Sequence, residues 1–290
     1  MKISGFTFVR NAIKFDYPVV EAITSILPIC DEVIVAVGNS EDATLALIQS
    51  IDSPKIKIIE TVWDDSLRKG GQVLAVETDK ALAAVSSDAD WCFYIQGDEV
   101  VHEKYLPIIK QAMEDNLNRP QVEGLLFNYT HFYGSYRYVG NAHRWYRREI
   151  RVIRNTGKVH SYKDAQGFRT LDNQKLKVKL IDAYIYHYGW VKPPEIQREK
   201  MKSSINFWGE GQDVDKIKEV LEEFDYSEID SLTLFDGIHP KVMQARIDSV
   251  NWMFDYDIQE KKLSFKNKLK MAVEKLTGYR IGEYRNYKLL

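Results

Sequence analysis

The chain has 290 residues, of which 44% are apolar, and its formal net charge is −2 at pH 7. This apolar content excludes a wholly disordered chain, and the near-balanced charge argues against a nucleic-acid partner. No apolar run reaches the ~20 residues of a membrane-spanning helix, and the apolar N-terminal stretch is too short for a signal peptide. Cys30 and Cys92 have no metal-ligand spacing and predict buried thiols, so we expect a cytoplasmic protein.

Strand-like and helix-like segments alternate through the first hundred residues. The predicted strands are 3–9, 33–37, 55–61 and 91–95, and the predicted helices are 17–29, 43–51 and 73–85. This alternation predicts an α/β fold with a mostly parallel central sheet flanked by helices. The loops that follow the strands should share one sheet edge, which is where ligands bind in open α/β sheets. These loops are 10–11, 38–42, 64–71 and 96–99.

The segment WCFYIQGDEVV, residues 91–101, joins a buried strand to a polar cluster that contains Asp98 and Glu99. Two carboxylates at the end of such a strand suit a divalent cation that in turn holds a diphosphate. The alternative is that both acids only cap the next helix, which is predicted to start near Glu103. The residues alone leave both interpretations open.

The order of these motifs resembles the family 2 glycosyltransferases with the GT-A fold. GNSEDAT stands where the family has a DGSTDGT-like loop, GGQVLAVETDKAL where it has a glycine-rich helix start, and DADWCFYIQGDEVV where it has a strand and Asp-x-Asp-Glu. The likeness covers roughly residues 3–190. The chain departs from the family at Gln96, which replaces the first acid, and at Val37 and Gly38, which replace acids that often read the base.

The resemblance implies a nucleoside-diphosphate sugar donor and a divalent metal, Mn²⁺ or Mg²⁺. The metal ligands that it implies are Asp98, Glu99 and His187, which follows the last predicted strand, 177–186. The alternative for His187 is a hydrogen-bonded structural histidine. The residues expected to bind the donor are Arg10, Asn39, Asp42, Arg68, Gln96, Gly97 and Asp98.

The middle of the chain should supply the acceptor side and the proton acceptor. A helix is predicted over 103–117 and a strand over 124–131, followed by the aromatic and basic stretch 133–145, whose rings either stack on sugars or pack a hairpin. The segment RVIRN precedes Val-His-Ser where the family has Val-His-Glu. Asp164 is the nearest carboxylate and the proposed catalytic base, with His160 as the second candidate; a solvated loop acid is the alternative for Asp164.

Composition shifts after residue 192. We expect a transferase domain over 1–192 and a helical extension over 193–290 that packs on it, with helices at 195–208, 213–224 and 240–256. From 261 to 290 the chain has nine Lys or Arg and two acids.

In this tail, Phe265, Leu269, Ala272 and Leu276 form one apolar stripe of a helix. Ser264 is suited to begin that helix and Gly278 to end it. A basic amphipathic helix of this kind can lie on an anionic membrane. The alternative is a helix docked on the core with its basic face in solvent.

The resemblance implies an inverting, metal-assisted hexosyltransferase that acts on a glycan or lipid-linked acceptor in cell-surface polysaccharide synthesis. It would work in the cytoplasm, at the inner membrane surface if the tail binds lipid. The alternative is a degenerate module that binds a sugar nucleotide or glycan without catalysis. A nucleotidyltransferase or a nicotinamide dehydrogenase would need a glycine-rich loop after the first strand, and FVRNAIKF has none.

Overall fold

The computed structural model describes residues 1–67, 69–208, 224–259 and 262–290. In these ranges the chain has an α/β fold. Its strands are β1 (Ile3–Val9), β2 (Glu32–Gly38), β3 (Ile56–Thr61), β4 (Trp91–Tyr94), β5 (Glu99–Val101), β6 (Gly124–Tyr133), β7 (Ser135–Gly140), β8 (Arg148–Arg154), β9 (Val159–Tyr162), β10 (Gly167–Thr170), β11 (Lys177–Trp190), β12 (Leu232–Leu234) and β13 (Lys288–Leu289). Its helices are α1 (Val19–Ile26), α2 (Thr44–Gln49), α3 (Gln72–Ala83), α4 (Leu106–Asn116), α5 (Pro194–Trp208), α6 (Gln244–Asp248) and α7 (Phe265–Thr277).

The predicted strand–helix alternation is confirmed in the first half of the chain. The strands β3, β2, β1 and β4 lie side by side in that order and are all parallel. Antiparallel strands β8, β6, β7 and β12 extend this sheet, and the long β11 runs parallel to β6. The sheet thereby places the carboxyl ends of four parallel strands at one edge.

Helices cover both faces of the parallel strands. Every residue of β2 is buried, as expected for a strand covered on both sides. Val33 and Val35 pack with the residues of α1, whereas Ile34 and Ala36 belong to the cluster that contains Ala81 of α3. The period-2 alternation of a strand therefore divides the core into two layers. Cys30 and Cys92 lie buried and unpaired, as predicted.

The acids of the central motif do not cap a helix. Glu99 begins the short strand β5, which pairs antiparallel with β11 and sets Glu99 opposite His187. A 3₁₀ turn over Glu103–Tyr105 then leads into α4. The alternative that Asp98 and Glu99 cap the following helix is therefore wrong, because a paired strand separates them from it.

The helix predicted over 240–256 is wrong beyond Asp248. A 3₁₀ turn and α6 end there, and no regular helix follows over 250–257. Phe254 and Tyr256 pack into an aromatic cluster, while Met253 between them is 96% exposed. This alternation with period 2 shows that packing against the aromatic cluster, not helical periodicity, decides the backbone here.

The helix expected at 195–208 is confirmed as α5, whereas most of the one expected at 213–224 lies outside the described residues. The last part of the chain adds strands as well as helices, since β12 pairs with β7 and β13 with β11. Across the parts of the chain that the structure describes, no helix is long and apolar enough to cross a membrane.

The end of β2 provides a test of this packing. A Cβ atom built on Gly38 would lie 2.3 Å from Nε1 of Trp63, whose ring is held between Phe8 and Phe207. We expect Gly38→Ala to displace the indole and to lower the free energy of unfolding by about 1–3 kcal/mol. Urea denaturation measures this difference.

Gly97→Ala is the matched control, because a Cβ at Gly97 meets only Val19, at an ordinary distance of 3.7 Å. An equal loss of stability in both variants would contradict the argument.

Candidate functional site

The loops after the parallel strands meet at one sheet edge, as the sequence predicts. Arg10 follows β1 and donates from Nε to the carbonyl of Asn39 after β2, over 3.1 Å. Asn11 accepts a hydrogen bond from the amide of Glu41 at 2.7 Å. Trp63, after β3, donates its backbone amide to the side chain of Asn39 at 3.1 Å. These hydrogen bonds connect the loops after β1, β2 and β3 into one continuous surface, called the loop wall below.

A cavity of about 530 Å³ opens at this edge. Cationic, aromatic and acidic side chains all line it. Five of the predicted site residues take part in its lining, namely Arg10, Gln96, Gly97, Asp98 and Asp164. The cavity therefore collects residues that are far apart in the sequence but follow the ends of neighbouring strands.

An aromatic side of the cavity lies next to Arg10. Trp63 stands against Phe8 and Phe207, and the guanidinium of Arg10 lies 5.4 Å from the centre of its ring. Arg10 also pairs with Asp65 at 3.0 Å. In the described residues, the indole Nε1 of Trp63 is buried without a hydrogen-bond partner. Trp63 occupies the space above Gly38, where the resembling family carries an acid.

Asp98 also lines the cavity and is surrounded by basic groups. Its Oδ2 atom is 3.1 Å from Nζ of Lys200 and 3.8 Å from Nε2 of His187. Burial alone would raise the pKa of Asp98, but Lys200, His187 and Lys192 together hold it well below its usual range. Burial lowers the pKa of Lys200, but Tyr17 and the same carboxylate together raise it above its usual value. Asp98 is therefore ionised at neutral pH and faces the cavity.

A second histidine determines how His187 faces Asp98. Nε2 of His131 lies 2.7 Å from the carbonyl of Tyr146, so it donates there, and Nδ1 of His131 lies 3.0 Å from Nδ1 of His187. Burial lowers the pKa of both imidazoles, most strongly that of His131. His131 then accepts from His187, which leaves the lone pair of His187 Nε2 turned toward Asp98.

Asp98 and His187 form a two-residue donor set for a metal ion. A separation of 3.8 Å between a carboxylate oxygen and an imidazole nitrogen suits ligands that share one ion at about 2.1 Å each. In the described residues, no group of three or more His, Cys, Asp or Glu side chains is arranged for a metal. The remaining positions would have to come from substrate phosphates and water, as is common for Mg²⁺.

The predicted ligand Glu99 does not belong to this set. It is fully buried and forms a two-pronged ion pair with Arg151, at 2.7 and 2.8 Å. Tyr129 donates to the same carboxylate at 2.7 Å, and the amide of Gln96 lies 3.2 Å from it. Because both oxygens are already occupied, Glu99 supports the site and is not available as a metal ligand.

Two further carboxyl groups line the cavity near Arg151. Burial raises the pKa of Glu149 to about 8, with Glu99 and Asp164 adding to the effect and Arg151 opposing it. Its Oε2 atom is buried and has no hydrogen-bond partner among the described residues. Burial also raises the pKa of Asp164, on the β9–β10 turn. A raised pKa makes the ionised form of Asp164 a better proton acceptor, whereas Glu149 already carries its proton at neutral pH.

Three predicted residues lie elsewhere. Asn39 is exposed and stabilises the loop wall, and Asp42 accepts from the amides of Lys14 (2.7 Å) and Thr44 (3.0 Å), so both hold loops together. His160 lies on β9 with Nδ1 at 2.8 Å from the carbonyl of Ser161 and does not line the cavity. Arg68 lies outside the described residues.

Sequence reasoning missed three residues that the structure brings to the cavity. Glu149 and Arg151 are two positions apart on β8, and residues two apart on a strand lie on the same face. The charged residues at these positions in RREIRVIR were therefore a signal that the sequence offered. Lys200 is one of several charged residues of α5, and no local pattern distinguishes it from the others. Its role depends on where α5 packs.

The buried ion pair gives a prediction about stability. Arg151→Met leaves the Glu99 carboxylate buried and uncompensated, so we expect a loss of about 3–5 kcal/mol in the free energy of unfolding. The double variant Arg151→Met/Glu99→Gln removes that charge and should recover much of the loss. Denaturant titration measures both variants.

Lys2→Met, which breaks an exposed ion pair with Asp88, is the control and should change little. Equal stability of the single and double variants would contradict the interpretation.

Glu149 gives a prediction about pH. Its raised pKa means that the folded protein keeps the proton up to about pH 8, whereas the unfolded chain loses it near pH 4.5. The wild type should therefore lose stability relative to Glu149→Gln as the pH rises from 4.5 to 8. We expect the gap in Tm to widen by at least about 2 °C, the shift that ~1 kcal/mol causes in a protein of this size.

Thermal melts across this pH range measure the gap, and the exposed Glu114→Gln on α4 corrects for the loss of a surface carboxyl. A gap that stays constant with pH would overturn the assignment of a protonated Glu149.

Comparison with known proteins adds a set of similar solved structures. No model of a protein family matches the chain, and no curated protein matches it. S. aureus TarS 1–349 is 13% identical over 77% of this chain and 70% of its own, with a TM-score of 0.43; its UDP complex is 14% identical with the same coverage and TM-score.

Glucosyl-3-phosphoglycerate synthase from Mycobacterium tuberculosis, in complex with Mn²⁺, UDP and phosphoglyceric acid, is 20% identical. It covers 45% of this chain and 43% of its own, with a TM-score of 0.31. Identity and TM-score are both low, so these similarities carry no conclusion about the activity of this chain. In the order of the motifs that meet at this sheet edge, the chain resembles the family 2 glycosyltransferases with the GT-A fold.

Proposed function

We propose that the chain is a glycosyltransferase that moves a sugar from a nucleoside-diphosphate sugar to an acceptor hydroxyl. One observation carries this proposal: a single cavity joins an aromatic side, a cationic side and two carboxyl groups with raised pKa. The aromatic groups suit a nucleoside, the cationic groups suit a diphosphate, and a carboxyl group suits a hydroxyl that must lose a proton.

The aromatic side suits the nucleoside. Trp63 lines the cavity although it is only 7% exposed, because Phe8 and Phe207 pack against its ring, so a base would meet the exposed part of this aromatic group. Val37 and Gly38 supply no acid, so the base would be read by Trp63, Arg10 and backbone groups. An aromatic edge, rather than a carboxylate, would then be the main contact to the base.

The cationic side suits the diphosphate. Sugar transfer breaks the bond between the anomeric carbon and the diphosphate, and negative charge grows on the departing oxygen. Arg10, Lys14 and Lys200 all line the cavity and can donate to phosphate oxygens. Lys200 is positioned by Asp98 and by the carbonyl of Gly189, each 3.1 Å away.

Asp98 and His187 would hold the divalent ion. When bound, Mn²⁺ or Mg²⁺ supplies Lewis acidity that stabilises the charge of the leaving diphosphate. Nζ of Lys200 already contacts Oδ2 of Asp98, so this carboxylate would interact with both the lysine and the metal ion. His131 supports this arrangement by orienting the imidazole of His187.

The acidic side suits the acceptor. Asp164 is half-buried and accessible from the cavity, and we assign it the role of taking the acceptor's proton as the hydroxyl attacks the anomeric carbon. Glu149 is 7% exposed and stands behind it as a second acid. One proton acceptor and a single displacement correspond to inversion at the anomeric carbon. The hexose donor, the glycan or lipid-linked acceptor, the cytoplasmic location and the role in cell-surface polysaccharide synthesis stay predictions.

The alternative is a module that binds a sugar nucleotide without turning it over. The departures at Val37, Gly38 and Gln96 motivate it, because each removes a charge that the resembling family uses. Binding and turnover must therefore be measured separately.

We expect one nucleoside diphosphate among UDP, GDP, CDP and dTDP to raise the Tm, with a larger rise when Mn²⁺ is present. The corresponding nucleotide sugar should be consumed, and Asp98→Asn should lower its turnover at least about 100-fold at saturating Mn²⁺. Release of the nucleoside diphosphate measures turnover with water or added sugars as acceptors.

The exposed Asp182→Asn on β11 is the matched control and should keep full turnover. Full turnover in Asp98→Asn would contradict the mechanism. A shift in Tm with no turnover for any donor would favour the binding module, and the absence of both would contradict the proposed function.

A further inference from the structure

The C-terminal helix α7 begins and ends where the sequence predicts. The hydroxyl of Ser264 accepts from the amide of Asn267 at 3.3 Å, and Gly278 ends the helix at φ = 70°. A side-chain cap and a left-handed glycine are the standard boundaries of a stable helix. The local sequence therefore defines a helix of thirteen residues, Phe265–Thr277.

The apolar stripe of this helix faces away from the protein. Phe265 is 83% exposed, Leu269 57% and Leu276 85%, and Ala272 between them is exposed as well. No residue of α7 is buried. The alternative of a helix that docks on the core through its apolar stripe is therefore wrong, and an amphipathic helix shows its hydrophobic face to solvent.

The opposite face attaches α7 to the protein through ion pairs. Glu274 lies 3.1 Å from Arg147, 2.9 Å from Arg280 and 2.9 Å from His143. Arg280 also donates to the carbonyl of Trp145 at 2.5 Å. At 100° per residue, Glu274 is on the side opposite the stripe. The helix is thus held by its polar face, which leaves the stripe free to meet a partner.

Lysines border the stripe on both sides. At 100° per residue, Lys266 lies on one side of it, and Lys268 and Lys275 lie on the other. In the described tail, 262–290, eight Lys or Arg stand against two acids. Both acids, Glu274 and Glu283, are already engaged by arginines. The surface around the stripe is therefore strongly cationic.

We propose that α7 docks this protein on an anionic lipid bilayer, with its apolar stripe among the acyl chains and its lysines at the phosphates. An apolar band between two rows of lysine matches the layered chemistry of such a surface. Tyr279, Tyr284 and Ile281 are exposed beyond the helix and extend the contact.

This proposal does not depend on the transferase function. It does have a consequence for the cavity, because α7 is tied to the segment 143–147, in which Tyr146 lines the cavity. Docking would hold Tyr146, and the part of the cavity that it lines, close to the bilayer.

Co-sedimentation of the full chain with vesicles tests the proposal. Vesicles of equal parts phosphatidylcholine and phosphatidylglycerol should bind at least about tenfold more protein than phosphatidylcholine alone, and raised salt should weaken the binding. The variant Phe265→Ser/Leu269→Ser/Leu276→Gln should lower binding at least about tenfold. Lys266→Glu/Lys268→Glu should lower it on anionic vesicles too.

Leu171→Gln and Lys110→Glu change exposed residues of the same types away from α7, and both should bind like the wild type. Because the altered side chains of α7 are exposed, thermal melts should stay unchanged and exclude unfolding as the cause. Failure to bind anionic vesicles, or equal binding by the stripe variant, would overturn the proposal. So would a dimer in size-exclusion chromatography that the stripe variant splits without any vesicle binding, since the stripe would then be a contact between copies.

Discussion

The buried ion pair between Arg151 and Glu99 is the interaction on which the site depends. It joins β8 to β5, and Tyr129 of β6 and the carbonyl of Gln166 complete its hydrogen bonds. Removing two charges from water costs several kcal/mol each unless every polar atom finds a partner, and here the carboxylate is fully satisfied. The geometry of three strands is therefore coupled to one charged contact directly behind the cavity.

The neighbouring acids Asp98 and Glu99 consequently have different roles. Glu99 is enclosed and fully hydrogen-bonded, so its charge serves the fold. Asp98 faces the cavity, and Lys200 and His187, at 3.1 and 3.8 Å, are groups that a ligand or an ion can rearrange. The buried, fully hydrogen-bonded Glu99 thereby fixes the backbone next to Asp98, whose own contacts can change when a ligand or an ion binds.

The segment 143–147, whose Tyr146 lines the cavity, also holds the C-terminal helix. Ion pairs to Glu274 fasten α7 by its polar face, which is the reverse of the usual arrangement in which an amphipathic helix buries its apolar side. The segment 143–147 therefore links α7 to the cavity, because Arg147 pairs with Glu274 and Tyr146 lines the cavity. An enzyme whose acceptor lies at a membrane would benefit from such a connection, because the same residues would orient both.

Local pattern was enough to predict the parallel strands, their shared edge and the ends of α7, because burial, strand alternation and helix capping act over a few neighbouring residues. The five predicted residues that line the cavity came from the family resemblance. Sequence did not predict the partner of Glu99, the approach of Lys200 to Asp98, or the extended backbone of 250–257. Each of these depends on segments tens to more than a hundred positions apart. The sequence by itself determined the elements and their order; tertiary packing decided which charges meet, because pairing energy depends on distance and burial in three dimensions.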